Sequence, residues 1–151
     1  PNDITALAFT KKAVWLASTS GVCRVQNGQK VKCFTSADGL SSELIRGVIA
    51  RPDGKIWVSS VEGVDEFTGT RFKQIPNPMI SERRFRSLAM DKKGRTWLGG
   101  QQGLGLLDRR NKLRVYNEDS QLLQTAVKHV TSDSKGRIWV LHPNGISLIT
   151  P

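Results

Sequence analysis

Four tryptophans recur at one place in one short phrase, and that phase restricts the fold of the 151-residue chain more than any other feature. Asp53-Gly54-Lys55-Ile56-Trp57-Val58, followed by Gly63-Val64, reappears as Lys93-Gly94-Arg95-Thr96-Trp97-Leu98 with Gly103-Leu104. It appears again as Lys135-Gly136-Arg137-Ile138-Trp139-Val140 with Gly145-Ile146. A worn copy, Lys12-Ala13-Val14-Trp15-Leu16 with Gly21-Val22, comes first. The tryptophans lie 42, 40 and 42 residues apart, and each is followed by Gly six residues later. A fixed period in this range marks a repeat architecture before any single element is assigned.

Each repeat reads as four short strands. In the second repeat the first strand is 45–50, and the Asp53-Gly54 turn supplies the positive φ angles of a tight hairpin. Lys93-Gly94 and Lys135-Gly136 serve the same purpose, whereas Thr10-Lys11-Lys12-Ala13 is one residue shorter and needs a different turn. The runs around each Trp are apolar at consecutive positions, so both faces of that strand are covered, as in a sheet stacked between two others. Third strands follow at 22–25, 64–67, 104–107 and 146–149, and fourth strands at 31–34, 71–75 and 113–116 only. No helical periodicity of useful length is present. The fold class predicted is all-β: propeller blades of four antiparallel strands over 1–151. The blades run about 4–44, 45–84, 85–126 and 127–151, three and three-quarter in all, and belong to a larger or oligomer-completed propeller. A sandwich also has many short strands, but it would not repeat Trp and Gly at fixed phase.

The stretch from Ile45 through Val64, and that from Phe85 through Leu107, resemble the two-component regulator propeller repeat. Asp91-Lys-Lys-Gly-Arg-Thr-Trp-Leu-Gly-Gly-Gln-Gln-Gly-Leu and Asp133-Ser-Lys-Gly-Arg-Ile-Trp-Val carry its pattern. Asp38-Gly39-Leu40-Ser41-Ser42 resembles its inter-blade connector. The family's Gly-Thr after the Trp strand is replaced by Ala17-Ser18, Ser59-Ser60, Gly99-Gly100 and Leu141-His142, so that end of the repeat is diverged. The resemblance implies a periplasmic or otherwise extracytoplasmic ligand-sensing module of a bacterial signalling protein, of two-component or cyclic-di-GMP type. It also implies an output domain across a membrane in the parent protein. It implies no particular ligand.

Lys and Arg exceed Asp and Glu by 23 to 13, a net charge of +10. In a four-stranded blade, the turns after strands one and three emerge on one face. That face gathers Lys11, Lys12, Lys55, Lys92, Lys93, Arg95, Lys135 and Arg137, with Lys30, Arg71, Arg109, Arg110 and Lys112. Its acidic company is mainly Asp53 and Asp108. Such a face favours acidic partners, or simply solubility. No run approaches a membrane span.

The opposite face carries the turns after strand two and the inter-blade links. Glu62, Gln101, Gln102, His142 and Asn144 sit there, joined by Arg83 and Arg84, and they are the candidate ligand-binding residues, since variable loops on a rigid scaffold carry function. An anionic saccharide or peptide is the ligand class; neighbouring blades or a second copy of the chain are the expected partners, and nucleic acid is not one. Catalytic residues, cofactors and metals are not expected. The two histidines, His129 and His142, form no metal-ligand pair, and no nucleophile elbow or phosphate loop is present. Gly99-Gly100 read as turn residues of the repeat. A propeller lyase of the virginiamycin B lyase type is the enzymatic alternative, requiring a general base and a metal. A general protein-interaction platform is the third reading. Cys23 and Cys33 flank a hairpin at Asn27-Gly28-Gln29. A three-residue loop sets them opposite each other and Val25 opposite Val31, whereas a two-residue Asn27-Gly28 turn offsets them, and either a cross-strand disulfide or two packed thiols can result.

Overall fold

Fifteen strands carry the described residues, in the four-four-four-three distribution that the repeats predict. The structure is a computed structural model and describes residues 3–108, 110–117 and 122–150. The chain divides after Pro76 into two units, each a pair of antiparallel sheets of propeller-blade type.

In the first unit, β1 (Ile4–Phe9), β2 (Ala13–Ser18), β3 (Gly21–Gln26) and β4 (Lys30–Phe34) pair in sequence order. A second sheet follows from β5 (Ile45–Ala50), β6 (Ile56–Ser60), β7 (Gly63–Phe67) and β8 (Phe72–Gln74). The short turn between β1 and β2 is stapled by Thr10, whose Oγ1 accepts from the Ala13 amide at 2.9 Å while the Thr10 amide donates to the Ala13 carbonyl. The two sheets pack face to face. Trp15 lies 4.9 Å from Phe67 and 5.8 Å from Phe34 between ring centroids, and Phe72 joins them. Around these rings are Ala17, Val22, Val48, Ile56 and Val58, all buried. Burying one such aromatic is worth on the order of a few kcal/mol, so this layer holds the pair together. Arg24 lays its guanidinium 5.6–5.9 Å from the Trp15, Phe34 and Phe67 rings.

The link between the sheets carries a 3-10 turn at Ser36–Asp38 and is pinned by Asp65 of β7. The Ser41 amide and hydroxyl donate to Asp65 Oδ2 at 3.0 and 2.8 Å. Asp65 is fully buried, and its Oδ1 has no hydrogen-bond partner among the described residues. Burial pushes this carboxyl up from its ordinary value against the pull of the Ser41 bonds.

The second unit opens on a one-turn helix, α1 (Pro78–Glu82), begun by Pro78 with Asn77 as N-cap. Its sheets are β9 (Phe85–Met90), β10 (Thr96–Gly100), β11 (Gly103–Leu107) and β12 (Leu113–Tyr116), then β13 (His129–Ser132), β14 (Ile138–His142) and β15 (Gly145–Ile149). Trp97 stacks on Tyr116 at 6.0 Å and shares a core with Ala89, Leu104, Val130, Ile138 and Val140. The short helical turns in the links are features that the sequence did not announce.

One expectation is corrected. Gly99-Gly100 are not turn residues but the buried end of β10, as Ser59-Ser60 are of β6. A Cβ at Gly99 would meet Ser87 Oγ of the paired strand at 2.5 Å, Val127 Cγ1 at 2.8 Å and Val130 Cγ1 of β13 at 3.0 Å, so glycine stands there because its own sheet and the next both pack close.

Candidate functional site

The β7–β8 hairpin and the link before β5 bound an open groove of about 440 Å³ in the first unit. Thr68 closes the hairpin: its amide and its hydroxyl both donate to the Arg71 carbonyl at 2.8 Å. Gly39 forms the other wall, so close to the Phe72 carbonyl that a side chain has no room. Thr68, Thr70, Arg71, Lys73 and Gln74 present hydroxyl, amide and cationic groups, and Phe72 beneath them is buried. No carboxylate lines the groove, and Asp65, which fixes its wall through Ser41, is enclosed in the core.

Four cations outside the groove have carboxylate partners among the described residues. Arg95 Nε pairs with Asp91 Oδ2 and Arg137 Nε with Asp133 Oδ2, each at 2.7 Å. Lys55 Nζ lies 2.9 Å from Glu66 Oε1, and Arg51 3.4 Å from Asp53. Arg71 and Lys73 form no ion pair among the described residues. Asp91, Asp133 and Glu66 add to the acidic company of the first turns and neutralise Arg95, Arg137 and Lys55 there. Arg109 lies outside the described residues, as does the Lys30 side chain.

The carboxylates do more than balance charge. Asp91 accepts from the Trp97 indole at 3.0 Å and from the Lys93 and Arg95 amides at 2.9 and 3.0 Å. Asp133 repeats the arrangement with Trp139 at 3.0 Å, Lys135 and Arg137. Burial alone would raise the Asp91 carboxyl, but the bonds from Trp97 and Arg95 and the Arg95 charge hold it below its ordinary value. Asp133 is held well below the carboxylate range, by the Trp139 bond first and then, against some desolvation, by Arg137.

The seven candidate residues separate. Glu62 is exposed in the β6–β7 turn of the first unit, where its carbonyl accepts from Gln74 Nε2 at 2.8 Å. In the second unit Gln101 and Gln102 are exposed, and Arg83 Nη1 reaches the Gln102 carbonyl at 3.3 Å. Arg84 is exposed at φ 49° beside them. The Asn144 amide donates to Gln124 Oε1 at 3.1 Å, and its side chain is exposed. His142 is the correction: it is 1% exposed, so it offers no surface to a ligand. Its Nδ1–H donates to the Ala126 carbonyl at 3.0 Å, which leaves Nε2 to accept from Ser147 Oγ at 2.9 Å. The parity of β14 carried the signal: Ile138, Val140 and His142 share the buried face. Arg71 and Lys73 were visible in the sequence only as turn and strand cations, because a groove made by a link 30 residues upstream has no local signature.

Among the described residues no cluster of His, Cys, Asp and Glu is arranged to hold a metal ion. The two cysteines are joined in a disulfide across β3 and β4.

Sheets of this kind, repeated with Trp at the centre, are β-propeller blades. Several solved structures share the fold over nearly the whole chain. The extracellular domain of a hybrid two component system from B. thetaiotaomicron matches 99% of this chain and 22% of its own, with a TM-score of 0.77 at 19% identity. The extracellular domain of a one component system from the same organism covers 98% and 27%, with a TM-score of 0.63 at 20% identity. Virginiamycin B lyase from Staphylococcus aureus covers 98% and 52%, with a TM-score of 0.75 at 15% identity. The chain thus spans about a quarter of the length of the first two proteins and about half of the third. At these identities the likeness shows the fold. No protein-family model matches the chain, and no curated protein does either.

Proposed function

We propose that this chain is a non-catalytic recognition module of a bacterial signalling protein, acting outside the cytoplasm, and that it binds an anionic saccharide. The observation that carries the ligand class is the groove at Thr68–Gln74. Two cations without carboxylate partners stand beside hydroxyl and amide groups that both donate and accept, which suits a sugar bearing carboxylate or sulfate. The exposed Glu62, Gln101, Gln102, Arg84 and Asn144, with the half-buried Arg83, remain as further contact positions on the loops. The Cys23–Cys33 disulfide supports an oxidising compartment. The extracytoplasmic architecture of the two B. thetaiotaomicron proteins points the same way. The lyase reading is weakened by His142, whose two ring nitrogens are already engaged.

Calorimetric titration of the chain with a uronate or sulfated oligosaccharide tests the proposal, with a neutral oligosaccharide and polyglutamate as companions. The acidic sugar binds, the neutral one does not, and binding weakens as salt rises. The variant R71A/K73A binds about tenfold more weakly or worse, the loss of roughly one charge-assisted contact. Equal binding by that variant, or preference for polyglutamate over the sugar, overturns it.

A further inference from the structure

Two carboxylates hold the link that walls the groove, one in solvent and one inside the fold. Glu43 Oε1 accepts from the Ser36 amide and hydroxyl at 3.2 and 2.8 Å, and these bonds keep its carboxyl below the ordinary value. Asp65 holds Ser41 from within, two residues beyond Gly39, which lines the groove. In the β7–β8 register Asp65 stands opposite Gln74, which lines the groove from the other side, and Arg71 and Lys73 flank Phe72 beside it. A buried charge therefore sits one strand in from the groove's cations. The fold does not demand a charge there. Counted from the glycine that opens each third strand, the same position holds Cys23, Gly105 and Ser147 in the other sheets.

Geometry also decides where a proton would go. Oδ2 of Asp65 already takes two donors from Ser41, whereas Oδ1 has no hydrogen-bond partner among the described residues. A proton on Oδ1 leaves both Ser41 bonds in place, so it removes the charge without releasing the wall. Asp65 shares the face of Val58, which packs on the first sheet. From that sheet Arg24 and Lys32 face it, paired in register and resting on Phe34, with Arg24 also over Phe67. The link adds Asp38, which takes the Thr35 amide, and Glu43. From β5, β6 and β8 come the uncharged Val48, Val58 and Gln74, while Glu66 of its own strand turns to Trp57. Among the described residues none of these forms an ion pair with Asp65. Burial is thus the leading influence, and it raises this carboxyl.

We infer that Asp65 is a proton switch for the groove: its ionised form repels the anionic ligand, and its neutral form lets the same groove bind more tightly. The inference rests on the anionic-saccharide reading and adds the regulation of that site. The repulsion acts through protein rather than bulk water, where one unit charge at this remove changes affinity by about three- to tenfold. Linkage makes the effect reciprocal, so a bound anion draws a proton onto Asp65 by the same factor.

Calorimetric titration with a sulfated oligosaccharide, whose sulfate esters stay ionised throughout, tests the switch on the natural chain, Asp65→Asn and R71A/K73A. Asp65→Asn keeps an acceptor for Ser41 and lacks the charge, so at pH 7 it binds about three- to tenfold more tightly than the natural chain. As pH is lowered the natural chain gains on the variant, and the ratio of their affinities falls toward one. Circular dichroism verifies folding, and Asp65→Ser, after the residue at the matching position of the last sheet, serves if the first variant misfolds. Equal affinities at pH 7, or a ratio unchanged in acid, overturn the switch and leave the groove reading standing, since both chains bind. Absence of binding by either chain, or binding that R71A/K73A retains in full, overturns the groove reading and the switch with it.

Discussion

The indole of Trp97 donates its Nε1–H to Asp91 Oδ2, six residues earlier, at 3.0 Å, and the same carboxylate oxygen takes Arg95 Nε at 2.7 Å. One buried side chain thus closes the turn, satisfies the Trp that anchors the sheet and balances the turn's cation. Replacing Asp91 with Ala orphans the indole and two amides, and the expected loss is about 2–3 kcal/mol in urea unfolding followed by tryptophan fluorescence. The pH dependence has a definite sign. Asp91 has its folded value lowered, so its contribution is present above the ordinary carboxylate value of 3.8 and is lost as pH falls through the folded one. The gap between the natural chain and D91N is therefore constant near neutrality and closes only in acid.

In the second sheet the position of Asp91 is taken by Arg51, and the carboxylate has moved to the third strand. Trp57 donates to Glu66 Oε2 at 2.7 Å, Lys55 pairs with Glu66 Oε1, and Arg51 covers the Trp57 ring at 4.0 Å. Glu66→Gln alone costs about 1 kcal/mol, as expected for a half-exposed acceptor. Adding Arg51→Asp supplies a carboxylate from the first-strand side, as in the third and fourth sheets, and restores most of that loss. A double variant less stable than E66Q would show that the two positions are not interchangeable.

Asp65 behaves oppositely to Asp91. Its folded value is raised, so the ionised form is penalised in the folded chain: the penalty is full above the folded value and disappears as pH falls through it toward 3.8. Asp65→Asn keeps an acceptor for Ser41 and removes the buried charge. The variant is at least as stable as the natural chain at pH 7, and its advantage shrinks as urea midpoints are followed into acid. Asp65→Ala, which strands the Ser41 amide and hydroxyl, is destabilised at every pH by about 1–3 kcal/mol.

The blades were legible because their determinants are local. Trp57, Gly54 and Gly63 fix a strand and its two turns within ten residues, and β5 and β12 run as the sequence predicts. Of the two turns that the sequence leaves open at Asn27, the three-residue loop is the one formed, with Cys23 opposite Cys33 and Val25 opposite Val31. What escaped depends on distance in sequence. Thr5 reaches the Ile45 carbonyl and Ser41 reaches Asp65, and neither pairing leaves a trace in a single repeat. The bulges that shift register between Ile45 and Gly47, and between Phe85 and Ser87, turn residues that alternation alone would misplace. His142 was misassigned because the family's loop position outweighed the parity of its own strand.

Gly103 holds φ at +128°, and a Cβ there would sit 2.6 Å from the Tyr116 carbonyl oxygen. Gly54 holds φ at +81° with nothing within 4 Å. Both lie where L residues are disfavoured, but only Gly103 adds a clash with backbone. Gly54→Ala therefore costs about 1 kcal/mol and Gly103→Ala clearly more, on the order of 3 kcal/mol. Thermal unfolding of the two variants side by side measures the difference, and equal losses would remove the steric part of the account.

Cys23 and Cys33 close a segment with a sequence separation of 10. In the chain-entropy account a loop of that length stabilises by at most about 3 kcal/mol, and the reduced hairpin, which keeps its β3–β4 ladder, should lose less, about 2 kcal/mol. Reduction by dithiothreitol lowers the urea midpoint accordingly, and Cys23→Ala/Cys33→Ala unfolds at the same place with or without reductant. Before reduction, alkylation adds no mass to the folded or unfolded chain. Chain recovered from an oxidising compartment with both thiols free would remove the disulfide's support for a site of action outside the cytoplasm, while leaving the groove at Arg71 and Lys73 to be judged by its own titration.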